Sequence, residues 1–188
     1  MRIVEWAPAV MPDRLPPFGD DFEAHFAEMR HPARRVESAA AWALLYRILQ
    51  TYGLPVGTVV FGEYGKPAFR EDCIFFSLSH ADGAVAVSVA DVPTGVDIER
   101  VDRRFSPRMP DKCLTEREAE NYDGDFIRLW CRKESIVKLT GEGLYGYPDH
   151  IETGDSSYSY YETRPVSDGI VYQLTAVFLK EKINNYNK

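Results

Sequence analysis

Cysteine is scarce in this chain. Cys73, Cys113 and Cys131 make an odd number, and no two of them form a CxxC pair. A disulfide framework needs more, and 188 residues can hold a core without staples, so free thiols in a reducing cytoplasm are expected. Long apolar runs are missing as well. The opening Met1-Arg2-Ile3-Val4-Glu5-Trp6 contains no leader-like apolar core, and no stretch reaches the ~18 residues needed to cross a bilayer. No membrane partner and a cytoplasmic location are the expectations. Positive charge is also in deficit: the formal net charge is −7 and the isoelectric point about 5.2. A nucleic-acid binder needs a basic face to displace phosphate counterions, so that class is set aside unless the basic residues cluster. The chain has no low-complexity tract, no G-x-S-x-G elbow, no P-loop, no H-x-x-x-H and no kinase catalytic loop.

What is present is ample material for a core, with 45% hydrophobic, 13% aromatic and 27% charged residues. A short strand is predicted over Ile3 to Trp6, followed by a Pro-rich stretch. A helical pattern starts near Asp20-Asp21 and, after His31-Pro32, continues from Ala33 to Leu49, closed by Gly53 and Pro55. Thr58 to Phe61 reads as a strand running into the loop chemistry of Gly62-Glu63-Tyr64-Gly65-Lys66-Pro67. Ile74 to Ser79, Ala84 to Ala90 and Gly95 to Glu99 are three strand candidates separated by turn residues, which predicts an antiparallel meander. Thr115-Glu116-Arg117-Glu118 fits a capping box, and a stronger helix is expected from Asp125 to Leu139, stopping at Gly141. Tyr158 to Thr163 and Val171 to Leu179 read as closing strands. The order is helix then strands, twice over. It predicts an α+β fold of two similar halves, 1–94 and 95–188, with antiparallel sheets packed against helices.

Four pieces of this sequence could carry chemistry. In Val96-Asp97-Ile98-Glu99 strand alternation turns Asp97 and Glu99 to the same face, where they repel unless solvent or a cation screens them. A half-buried strand with a wet outer face is the plain reading of this motif alone. In Trp130-Cys131-Arg132-Lys133-Glu134-Ser135-Ile136-Val137-Lys138, helical geometry sets Glu134 between Ile127 and Trp130, inside an apolar stripe. A carboxylate there is costly unless paired, protonated or metal-bound; an ordinary pair with Lys138 one turn on is the plain alternative. Phe76-Ser77-Leu78-Ser79-His80 ends a strand in a hydroxyl and an imidazole that could meet a phosphate, or in a surface histidine of no special role. The basic residues gather at Arg34-Arg35, at Lys66 and in the run from Arg100 to Lys112, whose local charge is +3 in an acidic chain. That run is either a solvated loop or a docking surface for an acidic partner, with Phe105 and Met109 as apolar anchors.

In this order, Gly65-Lys66-Pro67, Phe76 to His80, Gly95-Val96-Asp97-Ile98-Glu99, Trp130 to Lys138 and Gly141-Glu142-Gly143-Leu144 resemble the 4′-phosphopantetheinyl transferases. Enough residues precede the Gly95–Glu99 strand for a full first half, so the chain resembles the Sfp type while being somewhat shorter than its typical members. The resemblance covers residues 65–144. It implies a pseudo-dimeric fold with the active site between the halves, coenzyme A as co-substrate, and Mg²⁺, with Mn²⁺ as the alternative. Asp97, Glu99 and Glu134 would hold the metal, and Glu134, Lys138 and Asp97 would be catalytic. Arg34, Arg35, Gly65, Lys66, Pro67, Ser79, His80, Lys133 and Lys138 would bind the nucleotide and its phosphates. The partner implied is an acidic apo acyl or peptidyl carrier protein docking near Arg100–Lys112, served by a monomer with no nucleic acid involved. The rival is a coenzyme A- or carrier-binding module of the same fold without activity; a second is an unrelated magnesium phosphotransferase or hydrolase.

Overall fold

In chain order the elements are β1 (Arg2–Pro8), α1 (Asp20–Glu28), α2 (Pro32–Thr51), β2 (Val59–Phe61), β3 (Pro67–Phe69), β4 (Phe75–Ala81), β5 (Ala84–Ala90) and β6 (Thr94–Arg100). They continue as α3 (Met109–Cys113), α4 (Glu116–Glu120), α5 (Phe126–Thr140), β7 (Tyr158–Thr163), β8 (Val166–Ser167) and β9 (Ile170–Leu179). The computed structural model describes residues 1–71, 74–143 and 146–180. Cys73 and Leu144 lie outside the described residues.

The strands form two principal antiparallel sheets, β1-β5-β4 and β6-β9-β7, the second with β8 paired to β9. A β2–β3 pair stands apart. The fold is therefore α+β with antiparallel sheets, as expected, but the meander stops after two strands. β4 and β5 form a hairpin through Asp82-Gly83, where Gly83 takes a φ of 96°. β6 does not follow β5 into the same sheet; it pairs with β9 instead. A strand has two edges, and both edges of β5 are taken. β4 holds one and β1 holds the other in full register, from Arg2 opposite Ala90 to Pro8 opposite Ala84.

β5 shows how the sequence builds the sandwich. In Ala-Val-Ala-Val-Ser-Val-Ala every residue is buried, so both faces of the strand are covered. Val85, Val87 and Val89 pack into a core with Leu44, Leu45 and Ile48 of α2. Ala84, Ala86 and Ala90 meet Val96 and Ile98 of β6 and Leu174 and Ala176 of β9. Branched side chains fill the space under a helix, while alanines let a second sheet approach closely.

α5 begins at Asp125, whose carboxylate accepts from the Arg128 N–H, and ends at Gly141 with φ 77°. Both ends match the sequence signals for capping. The helix lies hard against β6. A Cβ on Gly95 would stand 1.9 Å from the Ser135 carbonyl oxygen, so only glycine admits this contact. The close approach brings Asp97 within reach of α5 side chains. α4 carries the predicted capping box, Thr115 and Glu118 each accepting from the other's backbone N–H.

Candidate active site

Alternation along β6 sends Val96 and Ile98 into the core between the sheets and Asp97 to the opposite side, toward α5. Asp97 is almost fully buried, at 4% exposure. Its Oδ1 accepts from the Lys138 ammonium at 2.6 Å and from the Ser79 hydroxyl at 2.9 Å. Lys138 also donates to Ser79 Oγ at 2.7 Å, which closes a triangle among β4, β6 and α5. Asp97 Oδ2 is buried and has no hydrogen-bond partner among the described residues. Such an orphaned carboxylate oxygen is costly in a protein interior.

Glu134 stands one turn before Lys138 and makes no hydrogen bond or ion pair among the described residues. Burial, and then the neighbouring Asp97 carboxylate, push its pKa above the usual carboxylate range, with Lys138 and Arg103 opposing them. Glu99 is engaged differently: Arg103 pairs with it, and the same guanidinium lies over the rings of Phe105 at 4.8 Å and Trp130 at 5.4 Å. Among the described residues no three His, Cys, Asp or Glu side chains are gathered closely enough to hold a metal. The three carboxylates expected as ligands thus do not stand as one set among the described residues, and Glu99 is paired with Arg103. The donor chemistry nevertheless fits a hard divalent cation. Asp97 Oδ2 has no hydrogen-bond donor among the described residues, and burial together with the neighbouring Asp97 carboxylate disfavours the charged form of Glu134.

Beside this cluster is a cavity of about 600 Å³ lined by Arg34, Glu37, His80, Glu99, Arg100 and Arg103. His80 Nδ1 is 2.9 Å from Glu37 Oε2, while Glu37 Oε1 accepts from the Gly83 N–H. Burial lowers the His80 pKa, Glu37 works against that, and Lys138 and Arg34 lower it further. A second cavity, about 250 Å³, is lined by Tyr64, Gly65, Lys66, Pro67, Lys138 and Gly141. Lys66 donates to the Leu139 carbonyl at the end of α5 at 2.6 Å, and burial lowers its pKa. A further cavity of about 220 Å³ between α4 and the start of α5 contains none of these groups. Its Arg128 and Arg132 are already paired with Asp123 and Glu162.

Asp97, Glu134, Lys138, Ser79, His80, Arg34, Gly65, Lys66 and Pro67 therefore surround the two cavities or the cluster between them. Two residues expected with them stand elsewhere. Arg35 lies over the Phe26 ring at 4.6 Å and donates to the Met29 carbonyl, fastening α2 to α1. Lys133 has no exposure at all, and its ammonium pairs with Glu118 at 2.6 Å and donates to the Pro148 and Ile151 carbonyls. The helix turns Lys133 away from Glu134, and no ligand reaches a side chain sealed in that way. Glu37 beside His80 is not singled out by the sequence, and Arg103, read there as part of the basic run, lies against Glu99. Glu37 falls three residues after Arg34 on one helix face, a spacing that could have drawn attention to it.

A family model described as the 4′-phosphopantetheinyl transferase superfamily matches residues 93–186. The chain belongs to this superfamily. The 4′-phosphopantetheinyl transferase psf-1 of Bacillus pumilus is 36% identical over 110 residues, which cover 53% of this chain and 47% of that protein. The transferase gsp of Aneurinibacillus migulanus is 32% identical over 108 residues, covering 52% and 45%. The transferase AcpT of Salmonella typhimurium is 34% identical over 130 residues, covering 63% and 66%. The chain spans about half the length of the first two of these curated relatives. The superfamily match includes β6, with Asp97 and Glu99, and all of α5, with Glu134 and Lys138. Arg34, Lys66, Ser79 and His80 precede it. Among the described residues no helix is long and apolar enough to cross a membrane.

Proposed function

We propose that this chain transfers the 4′-phosphopantetheine arm of coenzyme A to a serine of an apo acyl or peptidyl carrier protein, releasing adenosine 3′,5′-bisphosphate. One observation carries the reading: a cluster of buried Asp97 with half-buried Glu134 and Lys138, incompletely satisfied among the described residues, stands beside an arginine- and histidine-lined cavity. Asp97, Glu134 and, once free of Arg103, Glu99 would hold Mg²⁺ or Mn²⁺, whose charge offsets that developing on the departing bisphosphate. Arg34, His80 and Lys66 bind the anionic nucleotide in the two cavities. Lys138 places its ammonium where the phosphates enter. The nucleophile comes from the carrier. Glu134, with its raised proton affinity, takes the proton from the serine hydroxyl. The serine oxygen bonds to the phosphorus that bears the pantetheine arm. The bond from that phosphorus to the bridging oxygen breaks, and the bisphosphate leaves with the electron pair.

The same reading divides the chain into halves 1–94 and 95–188 with the site at their junction. It is supported by one principal sheet and one long helix on each side of residue 94. A monomer working in the cytoplasm belongs to it as well. Intact mass of an apo acyl carrier protein, incubated with this chain, coenzyme A and Mg²⁺, tests the function. A gain of one phosphopantetheine that requires the metal supports it. No gain on acyl, peptidyl and aryl carriers alike, while coenzyme A still binds, would leave a binding module.

The carrier is expected to dock on the basic run from Arg100 to Lys112. Arg100 is paired with Asp102 and Arg103 with Glu99, whereas Arg104 and Arg108 are exposed and make no ion pair among the described residues. Reversing charge at Arg104 and Arg108 together is expected to raise KM for the carrier roughly tenfold and leave KM for coenzyme A in place. Equal effects on both substrates would remove the docking assignment.

A further inference from the structure

We propose that Ser79 is a positioning residue that sets the Asp97–Lys138 pair, and that it is not a ligand for the nucleotide; this rests on the transferase reading. A hydroxyl has one hydrogen and two acceptor sites. All are in use: Ser79 Oγ donates to Asp97 Oδ1 at 2.9 Å and accepts from Lys138 Nζ at 2.7 Å and from the Ile98 N–H at 3.3 Å. Nothing is left to donate to a phosphate oxygen. Ser79 is also only 5% exposed, while His80 is exposed and lines the large cavity. Strand alternation gives the two neighbours opposite directions, so the imidazole faces the cavity and the hydroxyl faces the seam between the sheets.

That seam has its own logic. Ser77, on the same face of β4, accepts from the Val96 N–H at 3.1 Å, as Ser79 accepts from Ile98. Side-chain oxygens two residues apart thus take the place of a strand ladder between β4 and β6. Ser77 stops there. Ser79 adds the bonds to Asp97 and Lys138, so one hydroxyl fixes the strand, the carboxylate and the ammonium together. With Oδ1 held by two donors, Oδ2 is the oxygen left without a partner among the described residues. Removing the hydroxyl frees Lys138 from one of its two anchors and lets the Asp97 carboxylate rotate.

The test uses the full chain with Ser79→Ala and three readouts. The first two are coenzyme A Kd by calorimetry and kcat at saturating coenzyme A. The third is the reactivity of Lys138 toward trace acetic anhydride, read by peptide mass spectrometry against Lys112. The expected result is a kcat lower by about tenfold or more with Kd held within about twofold, because misplacing catalytic groups costs turnover and not binding. Lys138 reactivity is expected to rise several-fold. Ser77→Ala removes the neighbouring seam bond without touching Asp97 or Lys138, and should leave Lys138 reactivity unchanged. A raised Kd with kcat preserved makes Ser79 a ligand and overturns the proposal. Unchanged Lys138 reactivity, or an equal rise in the Ser77 variant, overturns it too. Should the alanine variant fail to fold, Ser79→Cys, with its weak thiol donor, answers by the same readouts. If the native chain modifies no carrier, the transferase reading fails, and Lys138 labelling still decides where Ser79 acts.

Discussion

Lys133 and Lys138 stand on the same helix, little more than one turn apart, and their surroundings differ in a way that separates architecture from chemistry. Around Lys133 the polar network is closed. Its ammonium meets Glu118 and the carbonyls of Pro148 and Ile151. Glu118 in turn accepts from the Thr115 N–H at 3.0 Å, from the Thr153 N–H at 2.9 Å and from the Thr153 hydroxyl at 2.6 Å. Burial pushes the Glu118 carboxyl up, but hydrogen bonds from Lys133 and Thr153 outweigh it and hold the pKa below the ordinary value. Around Lys138 the network is open. Among the described residues Asp97 has a buried oxygen without a donor, and Glu134 has no hydrogen-bond or ion-pair partner and a raised pKa. A buried polar group whose partners are complete holds the fold together; one left incomplete awaits something else.

The largest effect that would sharpen this contrast is on the open side. Glu134→Gln is expected to lower transfer by about 10²–10⁴-fold, the usual range for a lost general base. Its stability should go the other way. The folded-state pKa of Glu134 is raised, so its ionised form destabilises the fold above the unfolded carboxylate pKa, and that destabilisation is relieved as pH falls. At neutral pH the neutral amide removes the repulsion with Asp97. The melting temperature should hold or rise, and this variant should lose the native protein's gain of stability on mild acidification. A large drop in melting temperature at pH 7 would show that Glu134 has a structural partner and that the open network is closed after all.

The contrast was only half legible in the sequence. Glu134 could be flagged because a carboxylate in an apolar stripe breaks a pattern, and Asp97 because alternation pairs it with Glu99. The ends of α5 were legible from Asp125 and Gly141, and the α4 cap from Thr115 and Glu118. Lys133 entered only through the resemblance, and its partners sit fifteen and eighteen positions away in Glu118, Pro148 and Ile151, which one-dimensional spacing does not show. The contacts of Arg35 were hidden for the same reason, since Phe26 and Met29 lie across a helix junction. The meander failed at β6 because strand pairing is decided by competition for edges, and β1, some eighty residues earlier, took the edge of β5. The Arg103–Glu99 pair was near in sequence but needed the turn after β6 to become visible.

On the closed side, Lys133→Met should cost about 3 kcal/mol or more, because it strands the Glu118 charge in the interior. That corresponds to roughly 6–12 °C in melting temperature for a chain of this size. Coenzyme A affinity should stay where it was. Because the Glu118 pKa is depressed in the folded state, its contribution is present above the unfolded carboxylate value and is lost as pH falls through the folded one. The stability gap between native protein and variant should therefore narrow in acid. A Lys133→Met protein that melts like the native one but binds coenzyme A poorly would return Lys133 to the ligand set and dissolve the comparison.

Between the two extremes stands the Glu37–His80 pair, half closed and half exposed to the large cavity. Under the proposed function His80 meets a phosphate, and an anion favours the imidazolium form, so affinity declines as pH rises through the His80 pKa. Burial sets that pKa low, Lys138 and Arg34 lower it further, and Glu37 is the group that raises it. Glu37→Gln takes the raising charge away while retaining a side chain that can still reach Nδ1 and the Gly83 N–H. The decline in coenzyme A affinity should then begin at lower pH in the variant, and at neutral pH Kd should be weaker by about two- to fivefold, as suits a partly exposed ion pair. Calorimetric titrations across pH 5 to 8, roughly the range in which histidine changes charge, would measure both curves. If they coincide in shape and differ only by a constant factor, Glu37 serves the β4–β5 turn through Gly83 and not the imidazole. The pair then belongs with Lys133, on the architectural side.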